Sequence, residues 1–251
     1  MWTKICGVTR IEDARRIVSL GADAIGLNFY PASKRHVAPS VAKAISDAVR
    51  GEVCVVGVFV NEAPEKIIEL AMSLSLDAIQ FHGDEDAHAI ATVARKLPAI
   101  AIIRAVRLDS ENVDATADHI AQVIRAVSGT TERGSLNTES ILPAFSVLID
   151  AHVRGAYGGT GHRVDTETVE RLRRTLQDLL VCNRLQLPPM ILAGGLTPTT
   201  VGQAIRSVRP WGIDTASGVE SAPGIKDDEL VRRFIREVVG TVPAENESGR
   251  P

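Results

Sequence analysis

The 251-residue chain is poor in aromatics, at 4%, and has only three cysteines. With so few rings, its core must be packed from Ala, Val, Ile and Leu, the usual filling of α/β proteins. The cysteines, Cys6, Cys54 and Cys182, are odd in number and contain no C-x-x-C pair. That excludes a disulfide framework and offers no zinc knuckle; it fits a reducing cytoplasm. Excess positive charge is also missing, the net charge being -3. A nucleic-acid binder needs a basic stripe to displace counterions, and none is evident. Long apolar runs are absent too. The most apolar segment, VCVVGVFV at 53–60, is too short to span a bilayer, and the N-terminus MWTKICGVTRIED has no apolar signal-peptide core. A cytoplasmic protein without membrane or nucleic-acid partners is expected.

What the chain does have is alternation. β-branched runs at 2–6, 23–28, 53–60, 76–81, 100–105, 145–150, 189–193 and 211–215 are mostly followed by amphipathic helical patterns. Near-continuous apolar strands separated by helices imply a parallel sheet covered on both faces. Eight such units in about 250 residues imply one closed (β/α)8 TIM barrel, here over residues 1–240, with a polar, disordered tail over 241–251.

Local signals place several helices. Thr9-Arg10-Ile11-Glu12 reads as a capping box, followed by Ile11, Ala14, Ile17 and Val18 on one face. Pro39-Ser40 opens a helix with Val41, Ala44, Ile45, Ala48 and Val49 as its stripe. Thr197-Pro198 reads as a cap followed by Pro at the first helical position. The last helix buries Leu230, Val231, Phe234, Ile235, Val238 and Val239. Two connections, 126–143 and 181–189, are long; both precede strands, and so belong to the end of the barrel away from its chemistry.

In β/α barrels the working residues sit where strands end and βα loops begin. The last two loops carry Gly194-Gly195 and Ser217-Gly218. Glycines let backbone amides approach an anion, and loops 7 and 8 are the common phosphate grip of barrels. A small phosphorylated substrate is therefore expected. Cys6 and Asp150 end the first and sixth strands and can face each other across the barrel mouth, so they form a candidate acid–base pair. The thiol would need tuning to act near neutrality. Cys54 and Cys182 read as small buried hydrophobes. Arg35 is a candidate for bidentate grip on a substrate carboxylate, set against a solvated arginine beside Lys34. His82 reads as packing or substrate contact, and Asp84 and Glu85 as charges at a helix start.

These motifs together resemble the phosphoribosylanthranilate isomerase family of tryptophan biosynthesis. The matching segments are KICGVTR at 4–10, GADAIGLNFYPASKRHV at 21–37, VGVFVNEAPEKI at 56–67, LDAIQFHGDE at 76–85, LIDA at 148–151, YGGTG at 157–161, LAGGLTP at 192–198 and DTASGVESAPGIKD at 214–227. They run in the family's order over most of the chain. The resemblance implies a barrel catalysing an Amadori rearrangement, with Cys6 as general base and Asp150 as general acid. It also implies Arg35 on the anthranilate carboxylate and the AGGL and ASGVE loops on phosphate. No metal or organic cofactor is expected, because the substrate's own amine supplies the electron sink. The expected assembly is a monomer or homodimer. One departure lies after GGTG, where His162-Arg163-Val164-Asp165-Thr166 replaces the family's aromatic-containing continuation. The nearest rival, a sugar-phosphate isomerase of the histidine-biosynthesis type, works with paired carboxylates and a second phosphate half.

Overall fold

Inward and outward residues alternate along every strand, because successive side chains leave a strand on opposite faces. In the computed structural model, which describes residues 1–128, 142–150, 166–182 and 184–241, eight parallel strands close into a barrel. They are β1 (Trp2–Cys6), β2 (Ala24–Asn28), β3 (Cys54–Phe59), β4 (Ala78–Phe81), β5 (Ala101–Arg107), β6 (Phe145–Asp150), β7 (Met190–Ala193) and β8 (Gly212–Thr215). β1 pairs with β2 on one side and with β8 on the other, Lys4 lying opposite both Ala24 and Asp214. All eight expected strands are present, with ends shifted by a residue or two.

Eight helices form the outer layer: α1 (Ile11–Ser19), α2 (Pro39–Ala48), α3 (Pro64–Leu74), α4 (Ala87–Lys96), α5 (Val113–Val127), α6 (Thr166–Val181), α7 (Val201–Val208) and α8 (Asp228–Thr241). A short hairpin, β9 (Glu220–Ala222) with β10 (Ile225–Lys226), leads into α8. The larger core cluster fills the layer between sheet and helices, with Ile5, Ile25, Leu27, Ile79, Ile102 and Ile213 among its strand residues. Each such aliphatic side chain contributes roughly 1.5–3 kcal/mol when fully buried. The barrel interior is different: Ala24, Ala78, Ala101, Ala105 and Ala193 line it. Small residues there leave room for two long polar side chains, Lys4 and Gln80, both fully buried.

One device is used twice at the far end of the barrel. In Asp23-Ala24-Ile25 and Asp77-Ala78-Ile79 the carboxylate accepts the amide of the preceding strand, from Thr3 at 2.7 Å and from Val55 at 2.8 Å. This fixes the register of β2 against β1 and of β4 against β3, and so the level at which each strand ends.

Several local readings are corrected. Arg10, not Thr9, holds the N-cap position of α1, and it caps without a side-chain bond. The Thr9 hydroxyl instead donates to the Gly224 carbonyl at 2.6 Å, a long-range bond that local pattern cannot show. Helix α7 starts at Val201 after a turn, with the Thr197 carbonyl accepting from Thr200 and Val201, so Pro198 is not its first residue. The buried residues of α2 are Ala42, Ile45 and Ser46, with Val49 at its end; Val41 and Ala44 face outward, and Ser46 points inward with its hydroxyl donating to the Leu74 carbonyl. Val239 is 70% exposed, beyond the reach of the α8 packing face. Cys54 is buried as expected, but Cys182 is exposed, in the turn after α6.

The connection at 126–143 begins later than expected, since α5 continues to Val127; residues 129–141 lie outside the described residues. So do 151–165, which include YGGTG and His162 to Asp165, and 242–251. Thr241, with which the expected tail begins, is the last residue of α8. Among the described residues, no helix is long and apolar enough to cross a membrane.

Candidate active site

The mouth at the C-terminal ends of the strands collects the candidate residues. Cys6 lies two places after Lys4 on β1, and Asp150 two places after Leu148 on β6, so both share the inward parity of the barrel lining. His82 follows Gln80 of β4 in the same way. Gln80 Nε2 donates to His82 Nδ1 at 2.8 Å, and His82 Nε2 lies 3.6 Å from Asp150 Oδ2. A histidine whose Nδ1 accepts carries its proton on Nε2 when neutral, and that nitrogen points to the carboxylate. His82 thus faces Asp150.

The loop holding His82 is anchored by a network no sequence signal revealed. Glu85 accepts the amides of Asn61 (2.8 Å) and Gly83 (2.9 Å) and pairs with Arg104 at 2.9 Å. Arg104 also reaches the Phe81 and Gly83 carbonyls and His119. The pair is almost wholly buried, the side chains being 6% and 3% exposed. Glu85 is therefore a structural anion tying loops 3 and 4 together, and the expectation that HGDE starts a helix is corrected: α4 begins at Ala87, capped by Asp86. Burial, with help from the Arg104 charge, holds the His119 imidazole below its ordinary pKa.

Arg35 is not a solvated arginine. Its Nε and Nη2 donate to the two carboxylate oxygens of Glu220 at 2.8 and 2.6 Å. Glu220 in turn accepts from Lys226 Nζ at 2.8 Å, and that ammonium also bonds the Cys6 and Ala216 carbonyls. Burial raises the Glu220 carboxyl, but the two cations outweigh it and hold it below the ordinary range. Burial lowers Lys226. Gly7 makes this possible: its φ is +75°, and a Cβ there would lie 2.4 Å from Arg35 Cδ, so the arginine stem crosses directly over the end of β1.

The Cys6 thiol is pushed up by burial; the Lys4 charge pulls it down, Asp214 pushes it up and Lys226 pulls it down, and the net direction is upward. Burial thus opposes the thiolate, and the buried Lys4 and Lys226 charges favour it.

Loops 7 and 8 are locked side by side. The Thr215 hydroxyl donates to the Leu196 carbonyl at 2.7 Å, and a Cβ on Gly218 would sit 1.8 Å from that same oxygen. Gly218 is thus demanded by the contact between the loops. Gly194 and Gly195 have φ of +99° and +64°, and nothing lies within 4 Å of a Cβ on Gly195, so its open side faces away from the protein. Ser217, exposed, starts a single 3-10 turn to Val219. The Gly194-Gly195 and Ser217-Gly218 segments share one edge of the mouth.

Fold and site together define a (β/α)8 barrel with a thiol, a histidine–carboxylate pair and two glycine loops at one mouth. A family profile described as N-(5'phosphoribosyl)anthranilate (PRA) isomerase matches residues 3–237. The N-(5'-phosphoribosyl)anthranilate isomerase of Chlorobium chlorochromatii is 39% identical over 236 residues, covering 92% of this chain and 94% of that protein. That of Pseudomonas fluorescens is also 39% identical, covering 94% of each chain. The crystal structure of phosphoribosyl anthranilate isomerase from Thermotoga maritima superimposes with a TM-score of 0.75 at 33% identity, over 96% of this chain and 99% of that one. A structure of phosphoribosyl anthranilate isomerase in complex with reduced 1-(o-carboxyphenylamino)-1-deoxyribulose 5-phosphate superimposes with a TM-score of 0.70, with the same identity and coverage. The chain belongs to the N-(5'-phosphoribosyl)anthranilate isomerase family.

Proposed function

We propose that this enzyme rearranges N-(5-phosphoribosyl)anthranilate to 1-(2-carboxyphenylamino)-1-deoxyribulose 5-phosphate, in tryptophan biosynthesis, with Cys6 as base and Asp150 as acid. The observation that carries the assignment is their placement: both end inward-facing strand positions at the mouth that also holds the glycine loops. Asp150 protonates the furanose ring oxygen, and the ring opens to a Schiff base. Cys6 then takes the C2′ proton, giving an enolamine that tautomerises to the ketone. The substrate nitrogen is the electron sink. His82, facing Asp150, orients the carboxyl and lines the substrate's path. Following the loss of fluorescence of freshly made phosphoribosylanthranilate tests the activity; a folded protein without turnover overturns it.

The two ends of the substrate are gripped separately. Glu220 takes Nε and Nη2 of Arg35, so the anthranilate carboxylate is met by the Nη1 edge, with Glu220 holding the guanidinium in its plane. Gly194, Gly195, Ser217 and Gly218 take the phosphate. Arg35→Ala is expected to weaken a reduced product analogue by one to two decades and to leave inorganic phosphate binding unchanged, a charge-assisted contact being worth about 1.5–3 kcal/mol. Gly195→Val should do the reverse, since a branched side chain strains a positive φ and blocks backbone approach. Titration of both variants with both ligands decides; an unchanged analogue affinity in Arg35→Ala removes the carboxylate assignment.

Dialysis against EDTA is expected to leave turnover unchanged. A loss restored by added metal would overturn the cofactor-free reading. The enzyme is placed in the cytoplasm as a monomer or homodimer of one barrel domain, a dimeric phosphoribosylanthranilate isomerase being described from Thermotoga maritima.

A further inference from the structure

Lys4 is a full charge inside the barrel. Its side chain is 0% exposed and donates to Asp214 Oδ1 at 2.9 Å. A lysine so deeply buried is costly unless its charge is used. Lys4 and Cys6 stand two residues apart on β1 and so point the same way. Both crowd one gap on β2: a Cβ at Gly26 would lie 2.7 Å from Cys6 Sγ and 3.2 Å from Lys4 Cε. The missing side chain of Gly26 is what lets ammonium and thiol occupy the same space.

We infer that Lys4 is a positioning residue that supplies counter-charge to the Cys6 thiolate from beneath it, inside the barrel. This rests on the assignment of Cys6 as the base. The charges that face the sulfur come from every neighbouring element. They are Lys4 on β1, Asp214 on β8, Lys226 on β10 and Arg35 from the loop after β2, with Glu220 between the last two. Among the described residues, three cations against two carboxylates leave one positive charge in excess, which a thiolate cancels. Lys226 already serves three acceptors, and Arg35 is held by Glu220. Lys4 gives one hydrogen bond to Asp214, and an ammonium has three donors. Its remaining hydrogens are on the cation that shares the Gly26 gap with the sulfur, whereas the Nη1 edge of Arg35 is given to the substrate carboxylate. The mutual effect has the right sign: burial works against the Lys4 ammonium, but Asp214 and Cys6 outweigh it and hold it above the ordinary lysine range.

The test measures the thiol itself. Iodoacetamide alkylation of Cys6, located by mass spectrometry, is followed against pH in a Cys182→Ser background, which removes the exposed thiol while Cys54 stays buried. Alkylation tracks the thiolate, so its rate rises with pH through the Cys6 pKa. Removing the ammonium must move that midpoint upward. In Lys4→Met a rise of about one unit is expected, slowing alkylation about tenfold at a fixed pH below the midpoint. Should Lys4→Met fail to fold by circular dichroism, Lys4→Met with Asp214→Asn removes both buried charges. A smaller upward shift is then expected, because Lys4 acts on the sulfur more strongly than Asp214 does. A lysine that merely packs would change stability and leave the midpoint in place. An unmoved or lowered midpoint in either folded variant overturns the inference. The pH limb of kcat/KM, measured alongside, reports separately on Cys6 as the base: a shifted alkylation midpoint with an unshifted limb sinks that assignment and leaves the Lys4–thiolate pair standing.

Discussion

Cys6→Ala is expected to lower kcat by at least 10²- to 10⁴-fold, with affinity for the product kept within about tenfold. A general base contributes in that range, which corresponds to roughly 3–5.5 kcal/mol of barrier at about 1.4 kcal/mol per decade. Binding should survive because the groups assigned to the substrate's two ends lie elsewhere. Arg35 is held by Glu220, and the glycine loops are held by Thr215 and the Leu196 carbonyl. Alanine at position 6 removes the sulfur that would sit beside a Gly26 Cβ and leaves the strand pairing of β1 untouched. Cys54→Ala and Cys182→Ala serve as controls and should keep activity, the first being a buried lining residue and the second exposed after α6. Stopped-flow turnover together with titration by a reduced product analogue measures both quantities. Wild-type turnover in Cys6→Ala would sink the mechanism.

Asp150→Asn is the second large effect. The amide keeps the shape of the carboxyl and still faces His82 Nε2, which lies 3.6 Å from Asp150. What disappears is the transferable proton. The ring oxygen then leaves without a proton donor, so kcat should fall by a factor of 10² or more with little change in KM. A loss confined to the transition state has that signature. If KM alone rose, Asp150 would be a binding group and the acid would have to be another residue at the mouth, His82 being the nearest.

The eight strands were legible because they are buried on both faces, and burial writes itself as apolar runs separated by amphipathic helices. Strand ends follow from the same runs, and side-chain parity follows from the ends. Thus Cys6 and Asp150 could be placed at the mouth from sequence, and Gly194-Gly195 and Ser217-Gly218 recognised beside them. Helix starts were less legible. The Thr9 hydroxyl answers to the Gly224 carbonyl across the fold, the turn before α7 is closed by bonds among Thr197, Thr199 and Thr200, and the buried face of α2 includes a serine bonded to the Leu74 carbonyl.

The barrel, its order of elements and the positions at which chemistry can sit were readable from the chain alone, because they depend on periodicities two to four residues long. The tertiary structure alone decided how the charges are matched. Arg35 meets Glu220 across 185 positions, Lys4 meets Asp214 across 210, and Arg104 meets Glu85 from the next strand. Arg35 could be singled out from the sequence, but the partner of none of these residues could be, since nothing local says which distant ion a charge will meet. Closing β1 against β8 brings the first and last barrel strands together. Low dielectric in the closed barrel then makes each pairing far stronger than it is in water, and turns scattered charges into the electrostatic frame of the site.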